Sequence, residues 1–472
     1  MATHSDGILV SASGISTPVG ANGYHAAEKV VKSLPADFYT GFLSDAAKER
    51  KPSPIRGLFP LENKPGVISL LAGKPNDAMF PFKSLSFNIA SPTDPSQEQS
   101  ISLSGKDLSA GLQYGPTGGL PRLLKWFIGL QGLSHGRKSG EGWSLSIGNG
   151  SQDSIYKAVN ALVNPGDAVL VESPVYAGVI PMFKTLHCEQ IEVETDADGV
   201  CSHLLRNILE NWPVGKPKPK VLYTVPYGCN PTGMTATLER RKEVLQLARE
   251  HNFLILEDDP YFYLYFGKAA RPLSYFQLEL DEPEVGRVIR FDSFSKILSA
   301  GMRIGFASGP KPIIDAMDLH TGTANLQASS LIQAITLALV EEWGYNNFFA
   351  HTRAVADFYR EKRDVFESAL NAHLGGLAEW STPEAGMFFW FKLLLLSPHQ
   401  TPTGSADEGD SEDLIRTKAY EGGVLALPGT VFLPNGRKTA FVRASFSLCT
   451  EEQVNEALKR LRAVLLKERG QA

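Results

Sequence analysis

Residues 288–305 read VIRFDSFSKILSAGMRIG: a short β-branched and aromatic run, then Lys296 behind two serines and ahead of Arg303, with glycines at the close. A run that is nearly all apolar reads as a strand covered on both faces. Similar runs lie upstream. SLSIGN precedes the helical pattern SQDSIYKAVNALVN; AVLVESP, VLYTVP and FLILEDD follow, with LERRKEVLQLAREHN as the helix ahead of FLILEDD. Strands alternating with helices imply crossover connections, so the expected fold class is α/β, with a mostly parallel sheet flanked by helices. Ligands on such sheets bind beyond the carboxyl ends of the strands, where the polar residues of interest fall.

Outward from this block the pattern changes. After about residue 330, SSLIQAITLALVEEWG and HTRAVADFYREKRDVFESAL predict long helices. Near the end, Thr450 with Gln453 predicts a capping box, and Val454, Leu458, Leu461 and Leu465 give the following helix one apolar face. This part reads as a second, smaller lobe. On the other side, residues 1 to about 60 read as an arm lying over the body, its prolines in RKPSPIR opposing regular structure. ASPTDPSQEQSISLSG, residues 90–105, reads as a loop, and the acidic SADEGDSED as a solvated one.

The 472 residues are 43% hydrophobic and 21% charged, globular values far from those of a disordered chain. A formal charge of -5 provides no electrostatic reason to expect nucleic acid or an anionic membrane as partner. Cys188, Cys201, Cys229 and Cys449 show no metal-ligand spacing and fit buried thiols in a reducing compartment. MATHSDGILVSASG lacks a basic region and a sustained apolar core, and MFFWFKLLLL is too short to span a bilayer. The expectation is a cytoplasmic protein.

An isolated lysine is normally a surface residue. Around Lys296, however, Ser293, Ser295 and Arg303 offer two hydroxyls and a guanidinium fork suited to a phosphate, while Gly301 and Gly305 would allow close backbone approach. Phosphate beside an amine suggests a cofactor that carries a phosphate and forms an imine. GNGSQDSIYKAV, opening a helix directly after a strand, reads equally as a second anion site at Ser151 or as an ordinary N-cap. In EDDPYFY the acids Glu257, Asp258 and Asp259 admit three readings: a metal site, a surface acidic turn, or a carboxylate that keeps a pyridine nitrogen protonated. PYGCNPTG holds Asn230 in a constrained loop, as a plain turn or as a fixed amide.

Taken together, S-x-S-K-x-x-x-x-G-x-R-x-G, PYGCNPTG, EDDPYFY and FVRASF at 441–446 resemble the class I/II, fold-type I pyridoxal-phosphate aminotransferases. RKPSPIR, LQYGPTGG, GRVIRFDSFSK and AGMFFW are similar to the branch of 2-aminoadipate/kynurenine and fungal aromatic aminotransferases. The resemblance runs from about residue 50 to the end. It implies a fold-type I architecture divided into an N-terminal arm with part of the small domain (1–75), a large cofactor-binding domain (76–335) and a small C-terminal domain (336–472). It also implies pyridoxal 5′-phosphate as cofactor, with Lys296 condensed to its aldehyde, Asp258 paired with its ring nitrogen, and Asn230 and Tyr261 on its ring hydroxyl. Tyr176 would stack on the ring. Ser151, Gln152, Ser293, Ser295 and Arg303 would hold the phosphate, joined by Tyr114 from the other subunit of a homodimer. Arg443, helped by Asn230, would clamp the substrate α-carboxylate, and Arg56 and Gly73, in LLAGKPN, would meet its side chain. Arg56 suits a distal carboxylate or an aromatic ring equally. Ala72 stands where this branch often has a second glycine.

The resulting expectation is transfer of an amino group from an aromatic amino acid to a 2-oxo acid, with 2-aminoadipate or kynurenine as the alternative donor. β-Elimination or decarboxylation on the same cofactor is a further alternative. A cofactor-sensing transcription regulator would need a basic helix-turn-helix module, for which the first 60 residues are neither basic nor long enough.

Overall fold

The computed structural model describes residues 30–62, 64–71, 73–94, 96–395 and 409–471. Residues 1–29 of the expected arm, Ala72 and residues 405–408 of the acidic stretch lie outside the described residues. From Lys32 on, the described residues form one compact unit.

The first two strands of the chain form an antiparallel hairpin, β1 (Ser84–Ala90) with β2 (Glu98–Ser104). This corrects the loop expected over 90–105. Its residues are mostly polar, but Ile101 and Leu103 alternate with exposed neighbours and are 8% and 4% exposed. A half-buried strand needs only that alternation.

The main sheet contains β3 (Trp143–Gly148), β4 (Ala168–Ser173), β5 (Glu189–Asp196), β6 (Gly199–Val200), β7 (Val221–Thr224), β8 (Leu254–Asp258), β9 (Val288–Ser293) and β10 (Gly305–Pro310). Its order is β3-β10-β9-β8-β7-β4-β5-β6. Parallel ladders join β9, β8, β7, β4 and β5. Every residue of β4, β7, β8 and β9 is buried, as strands sandwiched between helices require. The sheet is nevertheless mixed, because β10 runs antiparallel to both β3 and β9. The connection from β9 to β10, residues 294–304, contains turns and one short 3-10 segment, too little for a parallel crossover.

A second sheet is antiparallel, ordered β11-β12-β14-β13, from β11 (Ala378–Trp380), β12 (Phe388–Leu393), β13 (Leu427–Pro428) and β14 (Phe441–Ser445). Each sheet has its own hydrophobic core. The helix Ser330–Leu374, interrupted at Gly344 (φ 61°, ψ 179°), supplies both: Ala334, Leu337, Val340 and Phe348 pack in the first core, and Phe366, Ala369, Leu370 and Leu374 in the second. The final helix, Glu451–Glu468, carries the expected capping box of Thr450 and Gln453 and buries Val454, Leu458, Leu461 and Leu465.

Part of the arm is built into the body. The helix Asp45–Glu49 is capped by Ser44, Tyr39 and Phe42 are buried in the first core, and the Tyr39 hydroxyl donates to Gly286 O at 2.9 Å. The proline segment, residues 50–55, forms no helix or strand. All four thiols are free; Cys201 and Cys229 are buried, whereas Cys188 is half-buried and Cys449 exposed, contrary to the expectation for those two. Among the described residues no helix is long and apolar enough to cross a membrane.

Candidate active site

Residues at or just beyond the carboxyl ends of five strands of the main sheet line a cavity of about 210 Å³. Ser151 and Gln152 come from the helix after β3, Tyr176 from the loop after β4, and Asn230 from the loop after β7. Asp258 and Tyr261 stand at the end of β8, Ser293 closes β9, and Ser295, Lys296 and Arg303 follow it. Phe388, the first residue of β12, adds a wall from the second sheet.

Lys296 sits on a turn closed by Leu298 N donating to Phe294 O at 2.9 Å. It is half-buried, and its amine has no hydrogen-bond partner among the described residues. Burial, then the charges of Arg303 and Arg443, hold its ammonium below the usual lysine range, with Asp258 acting in the opposite sense. It is therefore neutral more readily than a surface lysine.

Next to it lies an anion cradle. The helix Ser151–Leu162 has Gly150 (φ 86°) as its N-cap, with no capping side chain, so the ordinary N-cap reading of Ser151 fails and first-turn N–H groups stay free. A Cβ at Gly305 would stand 2.6 Å from Ser151 N, and one at Gly150 would stand 2.6 Å from an Arg303 nitrogen. A Cβ at Gly301, by contrast, would meet only Ser299 Oγ at an ordinary 3.8 Å, so of the pair Gly305 alone serves the expected close approach. Arg303 is held in the left-handed region (φ 53°) with its guanidinium donating to Asn149 O at 3.0 Å and Ser295 Oγ at 3.3 Å. Gln152 donates to Gly178 O at 3.0 Å and keeps a buried, unpartnered Oε1.

The three acids after FLIL are all buried, which removes the surface-turn reading, and they do three different things. Glu257 accepts from Tyr275 N at 2.7 Å and Phe276 N at 3.1 Å. Asp259 pairs with fully buried Arg290, which also forks onto Asp292 at 3.0 and 3.1 Å. Asp258 alone of the three lines the cavity. Tyr223 Oη donates to its Oδ2 at 2.6 Å, while Oδ1 is buried without a partner. Burial, opposed by the Tyr223 hydrogen bond, pushes its carboxyl up to about 7. No group of three or more His, Cys, Asp or Glu among the described residues could hold a metal.

Arg443, on β14 opposite Trp390, donates to Asn230 Oδ1 at 2.7 Å and lies over the ring of Phe388 at 4.2 Å. Its Nε is buried and unpartnered. Asn230 is thus a fixed amide. Its loop touches the second sheet's entry, where Cβ atoms at Gly228 and Gly386 would meet opposing backbone at 2.6 and 2.8 Å. Glu172, which sequence reasoning missed, accepts from Thr224 Oγ1 and from Val225 N at 3.0 Å and so secures the start of that loop; burial pushes it up to about 7. Arg290 and Tyr223 were missed as well.

Of the expected residues, Arg443, Tyr114 and Gly73 do not line this cavity. Tyr114 is 53% exposed, Gly73 is exposed outside any helix or strand, and Arg56 begins the 3-10 turn Arg56–Leu58.

Residues 98–461 match the family described as aminotransferase class I and II. The chain is 42% identical to aminotransferase tdiD of Emericella nidulans, over 89% of the chain and 94% of that protein. It is 40% identical to the mitochondrial kynurenine/alpha-aminoadipate aminotransferase of Mus musculus, over 91% and 99%. Identity is 31% with an aromatic amino acid aminotransferase of Dictyostelium discoideum, over 84% and 81%. Among solved structures, aminotransferase Aro8 from Candida albicans superposes with a TM-score of 0.83 at 26% identity, covering 93% of this chain and 100% of that one. LysN, an alpha-aminoadipate aminotransferase from Thermus thermophilus complexed with N-(5'-phosphopyridoxyl)-L-leucine, gives 0.66 at 29%, over 77% and 85%. The matched span takes in every residue of the cavity from Ser151 to Phe388, with Arg443 behind it, and on that ground the chain belongs to the class I and II aminotransferases, a pyridoxal-phosphate-dependent family.

Proposed function

We propose that this chain transfers the α-amino group of an aromatic amino acid, phenylalanine, tyrosine or tryptophan, to a 2-oxo acid such as 2-oxoglutarate by a ping-pong route, with pyridoxal 5′-phosphate as its cofactor. The observation that carries the reading is a half-buried amine, Lys296, sharing one cavity with a buried carboxyl, Asp258, the amine and one carboxyl oxygen having no hydrogen-bond partner among the described residues. The donor set fits the cofactor. Ser151, Gln152, Ser293, Ser295 and Arg303 suit a phosphate dianion, Oδ1 of Asp258 suits a protonated ring nitrogen, Asn230 and Tyr261 suit the ring hydroxyl, and Tyr176 suits stacking. When bound, pyridoxal 5′-phosphate supplies an aldehyde that exchanges amines and a ring that draws electrons from the substrate α-carbon.

The chain's own groups do the rest. Lys296, with its ammonium destabilised, offers a neutral amine as nucleophile and afterwards takes and returns the α-proton as general base and acid. Arg443 holds the α-carboxylate through its fork, already oriented by Asn230. Asp258 balances the ring's positive charge. Tyr176, Tyr261 and Phe388 give the cavity an aromatic lining that supports an aromatic donor. The proposal extends to a cytoplasmic homodimer in which Tyr114 of one subunit reaches the other's phosphate site, to Arg56 and Gly73 at the substrate side chain, and to the division at residues 75 and 335.

A second reading, with kynurenine or 2-aminoadipate as donor, is favoured by the higher identity to the mouse enzyme. Purified protein mixed with single amino acids distinguishes the two by loss of visible cofactor absorbance and formation of 2-oxo acid, with recovery on adding 2-oxoglutarate. Fastest conversion of phenylalanine, tyrosine or tryptophan supports the first; fastest conversion of kynurenine or 2-aminoadipate supports the second. Release of ammonia or carbon dioxide in place of the oxo acid overturns both.

A further inference from the structure

Resting on that aminotransferase reading, we infer that Tyr223 is a positioning residue for the reaction: its hydroxyl fixes the rotation of the Asp258 carboxyl and reserves one oxygen for the cofactor ring nitrogen. Tyr223 lies on β7 and Asp258 on β8, adjacent parallel strands, and both are buried. The phenol donates to Oδ2 at 2.6 Å and, among the described residues, is the carboxyl's hydrogen-bond partner; Oδ1 has none. A carboxyl held at one oxygen by a group on a rigid strand cannot turn freely about its Cβ–Cγ bond. The free oxygen is then presented to the cavity in a set direction.

Toward the ionised carboxyl the phenol is the donor. Burial, the charge of Asp258 and the hydrogen bond itself all keep the Tyr223 phenol protonated far above its ordinary range, so it acts as a donor throughout the working pH range. A donor to the ionised form favours that form. The charges facing Asp258 are mixed: Asp292 on β9 and Glu172 on β4 oppose its ionisation, while Arg290 on β9 and Lys296 support it. Tyr223 thus does two jobs with one hydroxyl. It aims the carboxyl, and it keeps the carboxyl ionisable in a site that otherwise favours the neutral acid.

Tyr223→Phe removes only the hydroxyl. In cofactor-free protein, the infrared stretch of the protonated Asp258 carboxyl, identified by its loss in Asp258→Asn, should titrate in Tyr223→Phe about one to two pH units higher than in the parent. In the loaded protein the dissociation constant for pyridoxal 5′-phosphate, measured by equilibrium dialysis, should rise about tenfold, and kcat should fall with little change in KM for the amino donor. Tyr39→Phe, which loses a buried hydroxyl bonded to Gly286 O, is the control: it should lower the unfolding temperature without moving the Asp258 midpoint. An unmoved midpoint and unchanged cofactor affinity in Tyr223→Phe, or a shift no larger than in Tyr39→Phe, would overturn the inference. Failure of the parent to take up the cofactor at Lys296 would instead refute the aminotransferase reading, and the infrared titration would still decide whether Tyr223 governs Asp258.

Discussion

Asp258 and Asp259 are adjacent in sequence and both buried, yet one faces a cavity and the other a salt cluster. Around Asp259, Arg290 gathers Asp292 as well, Gln131 donates to Asp292 at 3.0 Å, and an aromatic ring, Phe262, lies 4.7 Å from the guanidinium. That cluster is held by its own cation, although Asp259 Oδ1 is buried without a hydrogen-bond partner. Around Asp258, among the described residues, no cation comes within ion-pair distance, one oxygen has no hydrogen-bond partner, and the Lys296 amine on the same cavity has none either. Burying ions costs several kcal/mol each unless partners compensate, so a fold keeps an uncompensated set only where something else completes it. The cation-paired cluster anchors the end of β8 to β9; the set around Asp258, which lines the cavity, is placed for a ligand.

The largest effect should come from the cavity side. Lys296→Ala should reduce amino transfer by about 10²–10⁴-fold or more in a coupled assay, while urea unfolding of the cofactor-free protein changes little, since the amine has no partner to lose. Retained turnover would remove the asymmetry between the two clusters. Next, Arg290→Met should cost about 3–5 kcal/mol in urea unfolding, because it strands Asp259 and Asp292 without their cation. A loss below about 1 kcal/mol would show that the cation-paired cluster contributes no more than a surface pair. The smallest effect sharpens the contrast through pH. The folded pKa of Asp258 is raised, so its contribution to stability is full below 3.8 and is lost as pH rises through about 7. Asp258→Asn should therefore stabilise the cofactor-free protein by on the order of 2 kcal/mol at pH 8 and not at pH 4. An equal effect at both values would mean the carboxyl is not held up in the folded protein.

The contrast also explains what could be read in advance. The apolar runs that became β3, β4, β7, β8 and β9 were legible because strands buried on both faces leave no other composition. Lys296, Ser293, Ser295 and Arg303 were legible because their spacing brings unlike chemistry into one turn. The hairpin β1–β2 was not, since its few buried positions are diluted by polar ones. The separate duties of Glu257, Asp258 and Asp259 were not legible either; only the directions of successive side chains on β8 and the turn after it distinguish them. Two signals were available and unused. Arg290 inside VIRFDSF had to find buried carboxylates, and Tyr223 inside VLYTV had to find an acceptor for its hydroxyl.

The helix Ser330–Leu374 has a consequence for how the protein fails. Because its first half completes one core and its second half the other, loosening either core strips apolar contacts from a segment the other needs. Denaturation should therefore couple the two sheets into one cooperative transition, and the wall bearing Phe388 and Arg443 should come away from Lys296 only when both cores give way.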